Sequence, residues 1–250
     1  MGGTGEGTGV RDRADLEDIQ QVVKEGISPQ FEWQMIDAKN EVEYSIGIVE
    51  RQVHITFLGS VSKMDWIHNF MFWVKPYKRM KKLFFVHAGF LKIWKIVRPY
   101  ITNFLIDNAD KYDSIIIKGH SLGGAIATLC LEHVSWMQEE GMLKESVRYA
   151  AVTSGAPRVC SILGYKNFAR RCWKMFRVRY RNDGIPTLPP AIFGYKHVGT
   201  LVQFGKIWPL GFLAPSSVYY HDVHCYRNLI DQSIEWDETN NSLFKTATTA

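Results

Sequence analysis

Ile115-Ile116-Ile117-Lys118-Gly119-His120-Ser121-Leu122-Gly123-Gly124 is the stretch on which the reading of this chain turns. Three consecutive β-branched residues favour extended backbone. The G-x-S-x-G that follows opens directly into a helical pattern. A buried strand that turns sharply into a helix holds the turn serine clear of both elements. Gly119 and Gly123 leave room for strand and helix to approach one another. The helix N-terminus points unpaired N–H groups and a positive dipole end at the same place. Ser121 is therefore the candidate nucleophile.

Working outward, the spacing of Ile126, Leu129, Cys130, His133, Val134 and Met137 predicts an amphipathic helix that Gly141 stops. Residues 114–118 read as a short strand covered on both faces, as in a parallel sheet. Residues 42–49, 52–58, 147–153 and 175–180 read as further strands. In the last of these, Arg177 and Arg179 alternate outward. Residues 86–106 read as a helix that Pro99 should kink or divide. Leu16, Ile19, Val22 and Val23 place a helix over 15–25, and a last helical segment falls near 222–231. Strands alternating with helices imply an α/β architecture with a mostly parallel sheet and helices on both faces. A chain of 250 residues without a linker or internal repeat suits one domain over 15–250, preceded by a flexible leader at 1–14.

Composition narrows the setting. No run reaches about 18 apolar residues, so no membrane-crossing helix is expected. The amino-terminal residues lack the apolar core of a signal peptide. The four cysteines show no C-x-x-C spacing and read as reduced thiols, which favours a cytoplasmic or peripheral membrane location and gives no reason to expect a metal. Charge is uneven. Residues 63–98 hold nine basic side chains against one acid, Asp65, a larger excess than the net +5 of the whole chain. The same stretch carries Trp66, Phe70, Phe72, Trp73, Tyr77, Phe84, Phe85, Phe90 and Trp94. Cations mixed with large aromatics suit contact with an anionic membrane surface. No nucleic-acid motif accompanies them, and nucleic acid is not an expected partner.

A serine hydroxyl needs a base, commonly a histidine oriented by a carboxylate. Asp183 follows the strand at 175–180 and precedes Gly184, where an acid belongs. His197, His221 and His224 lie further on and are the candidate bases.

At this level of detail the chain resembles the class 3 lipases, the fungal-type triacylglycerol lipases and their relatives. The resemblance rests on ordered blocks: Phe57-Leu58-Gly59-Ser60, Asp65-Trp66, His87-Ala88-Gly89-Phe90 and Gly119 to Ala125. Ser154-Gly155-Ala156-Pro157-Arg158-Val159, Asn182-Asp183, Leu188-Pro189-Pro190 and Tyr195-Lys196-His197-Val198-Gly199 continue the order, and the blocks together span about residues 44–230. Leu58, Lys118 and Cys160 depart from the usual pattern at their positions, and none of the three is a proposed triad member.

The resemblance implies an α/β-hydrolase fold, Ser121 as nucleophile, Asp183 as acid and a lipid ester as substrate. It selects His221 as base, because an aromatic residue, Tyr226, stands five positions later. His197 then falls in a structural block. The resemblance also implies an oxyanion hole from the backbone N–H of Leu122 and from Ser60, with Asp65 either holding the Ser60 hydroxyl or capping a helix. It places a lid near 66–84, within the aromatic and basic stretch. No cofactor is called for. Two alternatives keep the fold: a catalytically silent lipase-like membrane or regulatory module, and a soluble-ester hydrolase of the feruloyl type.

Overall fold

The computed structural model describes residues 35–38, 42–58, 73–79, 82–206, 208, 216–227, 234–237 and 242–245. The leader and the helix expected over 15–25 lie outside the described residues, as do Ser60 and Asp65.

Seven strands form the main sheet in the order β1-β2-β3-β6-β7-β9-β11. They are β1 (Met35–Ala38), β2 (Val42–Val49), β3 (Gln52–Phe57), β6 (Ser114–His120), β7 (Arg148–Ser154), β9 (Met175–Tyr180) and β11 (Thr200–Phe204). From β3 to β11 every neighbouring pair is parallel, whereas β1 and β2 add an antiparallel edge. β6 sits at the centre. Its residues 115–119 are all buried, the apolar run having a covered face on each side.

A second, antiparallel sheet runs β10-β8-β5-β4, built from β4 (Val74–Arg79), β5 (Lys82–His87), β8 (Cys160–Ser161) and β10 (Tyr195–Lys196). The described part of the 66–84 interval, 73–79 and 82–84, is the greater part of the β4–β5 hairpin; the rest lies outside the described residues. Near the carboxyl end, β12 (Ile234–Asp237) pairs with β13 (Ser242–Lys245).

Two long helices follow the strand ends, α1 (Ala88–Asp107) after β5 and α2 (Leu122–Glu139) after β6. Pro99 neither divides nor ends α1. Pro99 and Lys95 are both exposed, so the carbonyl that Pro99 cannot bond lies on the solvent side of the helix, where the cost is lowest. α2 is buried almost all round, because α1 covers it on one side and α3 (Tyr165–Arg171) on another. His133 Nε2 lies 2.8 Å from Thr102 Oγ1 of α1, with its ring 5.6 Å from that of Trp94. Gly141, at φ 73°, closes α2: Gly141 N–H bonds Gln138 O at 3.1 Å and Met142 N–H bonds Met137 O at 2.8 Å.

Arg177 and Arg179 on β9 depart from their expected outward position. Both are half-buried beneath the 183–197 segment, and Arg179 Nη2 donates to Asp183 O at 3.0 Å. Burial draws the Arg177 pKa down to about 10. Among the described residues all four cysteines are free thiols, and Cys130, Cys160 and Cys172 are buried.

Candidate active site

The site lies at the carboxyl edge of β6, β7 and β9. β6 delivers Ser121 on a turn with φ 55° and ψ −124°, a strained position for a residue with a side chain. Close packing holds it there. A Cβ on Gly119 would come 2.4 Å from Gly123 O, and one on Gly123 would come 2.2 Å from Phe57 O. Ser121 N–H donates to Ser154 O at 2.9 Å, tying the turn to β7. Leu122 opens α2, so its N–H belongs to the first turn, which has no acceptor within its own helix. β3 ends against Gly123 at Phe57.

Asp183 arrives by a different route. β9 ends at Tyr180, and the following tight turn carries Asp183 N–H to Tyr180 O at 3.0 Å. Asn182 fixes this turn from outside, bonding Trp208 O at 2.9 Å and Trp208 N at 3.0 Å. The Asp183 side chain is fully buried and accepts from Ile185 N–H at 2.9 Å through Oδ1.

His221 lies between α4 (Ser216–Tyr219) and α5 (Val223–Arg227). Its Nδ1 is 3.0 Å from Asp183 Oδ2 and 3.1 Å from Oδ1, and its Nε2 is 2.7 Å from Ser121 Oγ. A carboxylate can only accept, so Nδ1 carries the hydrogen and the Nε2 lone pair meets the serine hydroxyl. Residues 62 and 38 positions apart along the chain are thus brought to one line of hydrogen bonds. Gly155 lets them meet. At φ 59° it passes so close that a Cβ would stand 2.8 Å from Asp183 Oδ2 and 2.9 Å from His221 Nδ1.

The other two candidate bases lie elsewhere. His224 is exposed, with its backbone N–H on Asp222 Oδ1 at 2.7 Å. His197 Nε2 is 2.7 Å from Pro186 O, and burial, aided by Arg177, draws its pKa down to about 3. It braces the 185–189 segment, together with Arg158 Nη1, which donates to Thr187 O and to Pro189 O.

Tyr226 is the fourth member of the group. Its buried hydroxyl donates to Asp183 Oδ2 and accepts from Tyr180 N–H at 3.2 Å. Burial, together with the Asp183 charge, raises its pKa well above the ordinary phenol value, so it remains a donor. The aromatic five positions after His221 was visible in the sequence; its bond to the acid was not. Tyr226→Phe is expected to lower kcat about 10- to 100-fold on a soluble ester by removing a bond to a charged acceptor. Steady-state kinetics of the purified variant checks this.

Among the described residues no group of His, Cys, Asp and Glu is placed to hold a metal ion, and no helix is long and apolar enough to cross a membrane.

A family model described as Lipase (class 3) matches residues 54–193, more than half of the chain. In sequence the chain is 33% identical over 156 residues to a lipase of Rhizomucor miehei, across 61% of this chain and 42% of that protein. It is 29% identical over 149 residues to secreted mono- and diacylglycerol lipase 1 of Fusarium solani, across 59% of this chain and 42% of that protein. The matched stretch thus spans less than half the length of either relative. Among solved structures, lipase II of Rhizopus niveus superposes with a TM-score of 0.61 at 21% identity, covering 77% of this chain and 82% of that one. A triacylglycerol lipase whose catalytic centre is formed by a serine protease triad superposes at 0.59 and 22% identity, covering 78% and 82%. These likenesses show the α/β-hydrolase fold.

Proposed function

This chain belongs to the class 3 lipase family, and we propose that it hydrolyses carboxylic esters of lipids, acylglycerols or phospholipids, through Ser121, His221 and Asp183. One observation carries the reading: the His221 imidazole lies 2.7 Å from the Ser121 hydroxyl and 3.0 Å from the Asp183 carboxylate. Its relatives named as lipases favour lipid esters over the other substrates of this fold.

In the reaction, Ser121 Oγ attacks the ester carbonyl while its proton passes to His221 Nε2. Asp183 keeps the imidazole oriented and stabilises the imidazolium. The carbonyl oxygen, now anionic, accepts hydrogen bonds from the N–H of Leu122 and from Ser60. One such donor is typically worth about 3 kcal/mol of barrier. His221 returns the proton to the departing alcohol, leaving an acyl group on Ser121. A water molecule, activated by the same imidazole, releases the fatty acid. The test is labelling of Ser121 by a fluorophosphonate probe, followed by a lipid panel with products identified by mass spectrometry. An unreactive serine in folded protein rejects the reading.

The substrate surface is an anionic bilayer, met through residues 63–98; the β4–β5 hairpin within the 66–84 interval is held in the second sheet, with Tyr77 and Phe84 buried in the core, and offers its outer side to that surface. Trp73 and Leu83 are exposed at 69% and 48%, and Lys75 and Lys78 are exposed beside them. Lys78 pairs directly with Leu83 across the β4–β5 register, so cation and apolar side chain share one face. Activity on vesicles rich in anionic lipid is expected to fall several-fold between about 0.05 and 0.5 M salt, as screening weakens the contact. Activity on a soluble ester should change little over the same range. Salt-insensitive activity on the vesicles rejects the electrostatic contact.

A further inference from the structure

The residue before the nucleophile, His120, has no part in the proton transfers above, yet its ring lies against the base. The two imidazoles are stacked, with centroids 4.9 Å apart and planes 24° from parallel. Tyr226 meets the His120 ring edge-on, at 5.4 Å and 64°. On its other side His120 Nδ1 is 3.0 Å from Ser154 Oγ, the residue paired with it in the β6–β7 register. Ser154 also accepts the Ser121 N–H through its carbonyl. One strand-end pair therefore anchors both the nucleophile and the ring beneath the base.

We propose that His120 is a positioning residue: its flat imidazole is the floor that fixes the ring plane of His221 and so keeps Nε2 on the Ser121 hydroxyl. The inference rests on the triad reading and goes beyond it.

His221 needs such a floor. It comes from a segment between two helices of four and five residues, not from a strand end. Its two nitrogens are held by Asp183 and Ser121, but two in-plane hydrogen bonds do not by themselves stop the ring from tilting. A stacked ring opposes that tilt. Charge matters as well. Burial, then the neighbouring His221 ring, draws the His120 pKa down to about 4; Asp183, the main chain of His221 and Asp222 pull the other way and offset only part of this. Among the described residues, Ser154 and Tyr226 also lie against the ring and bring no charge to it at neutral pH. When His221 takes the serine proton, the imidazolium thus meets a neutral π face and not a second cation.

The experiment compares His120→Ala, His120→Leu and His120→Phe in the full chain. It reads the fluorophosphonate labelling rate of Ser121 and the kinetics on p-nitrophenyl butyrate, with thermal unfolding as the check on folding. His120→Ala and His120→Leu are expected to lose about 10- to 100-fold in both labelling rate and kcat with little change in KM, the cost of a misaligned base. His120→Phe, which restores a flat ring without nitrogens, is expected to recover to within about fivefold of wild type. Labelling of the Ala variant at the wild-type rate overturns the proposal. So does a Phe variant as slow as Leu, because then the nitrogens and not the ring face matter. Where the Ala variant fails to fold, the Leu-to-Phe comparison decides alone. A wild-type serine that never reacts with the probe rejects the triad itself, an outcome distinct from any ranking of these variants.

Discussion

His221→Ala is expected to lose about four orders of magnitude or more of ester hydrolysis, because a triad member removed singly takes most of the triad's contribution with it. The size of the loss depends on whether another group can substitute, and among the described residues the surroundings of Ser121 offer none. His120 adjoins Ser121 in sequence, but it faces Ser154 and lies in a plane stacked on the base. His224 is exposed, on a backbone turn closed by Asp222. His197 is committed to Pro186 O. Asp183→Asn should come close to the same loss by another route. An amide presents a donor to Nδ1 as readily as an acceptor, which favours the tautomer with its hydrogen on Nε2, aimed at the serine. Ser121→Ala should fall equally far, and combining it with His221→Ala should add little, since the residues act as one unit. Hydrolysis of a soluble ester by the purified variants, with unfolding temperatures measured alongside, checks all of these. Full activity in His221→Ala together with loss in His224→Ala would reassign the base.

The parts of this fold written in local pattern were legible before any coordinates. Ile115-Ile116-Ile117 forms the buried centre of β6, and Gly119 and Gly123 stand at its turn into α2 because no side chain fits there. The boundaries of β9 coincide with the reading from alternation. What alternation could not reveal was the purpose of its arginines. Their expected outward position turned out to be a space filled by the 183–197 segment, whose carbonyls Arg158, Arg179 and His197 hold. The second sheet was equally hidden. β8 and β10 have two residues each, too short for any period, and β4 interrupts its apolar residues with Pro76 and three cations. Of the two outcomes expected at Pro99, division of the helix does not occur, and the exposure of that turn depends on packing that sequence does not state. At the site, residue types named Ser121 and Asp183. The choice between His221 and His224 came from resemblance, and only the arrangement in space sets one ring on the hydroxyl and the other in solvent. Ser60 and the remainder of the 66–84 interval lie outside the described residues.

Arg171→Ala should cost about 3–5 kcal/mol of stability, the largest loss expected from a residue outside the site. Arg171 on α3 donates through Nη1 to Glu132 Oε1 at 2.8 Å, and through Nε and Nη2 to Glu139 Oε2 at 3.0 and 2.9 Å. The Arg171 and Glu132 side chains are 3% and 0% exposed. α3 thus brings a cation to the carboxylate in the middle of α2, where that helix is buried. Burial alone would lower the Arg171 pKa, but Glu139 and Glu132 more than offset it and leave it raised. Removing the guanidinium takes from the fully buried Glu132 carboxylate the cation 2.8 Å away on α3. For a chain of this length the unfolding temperature should drop by about 10 °C. The pH dependence then separates loss of the Arg171 charge from a simple cavity. In the variant, loss of the Arg171 cation moves the folded-state pKa of the buried Glu132 upward. Its protonated form is thus the better folded one, and stability should fall as pH rises through that raised value. A cavity alone would show no such slope. Pairing Arg171→Met with Glu132→Leu removes both charges and fills the space, and should recover most of the loss. Thermal unfolding of the two variants between pH 5 and 8 tests the assignment, and an Arg171→Ala protein whose stability parallels wild type across that range would show that Glu132 finds compensation elsewhere.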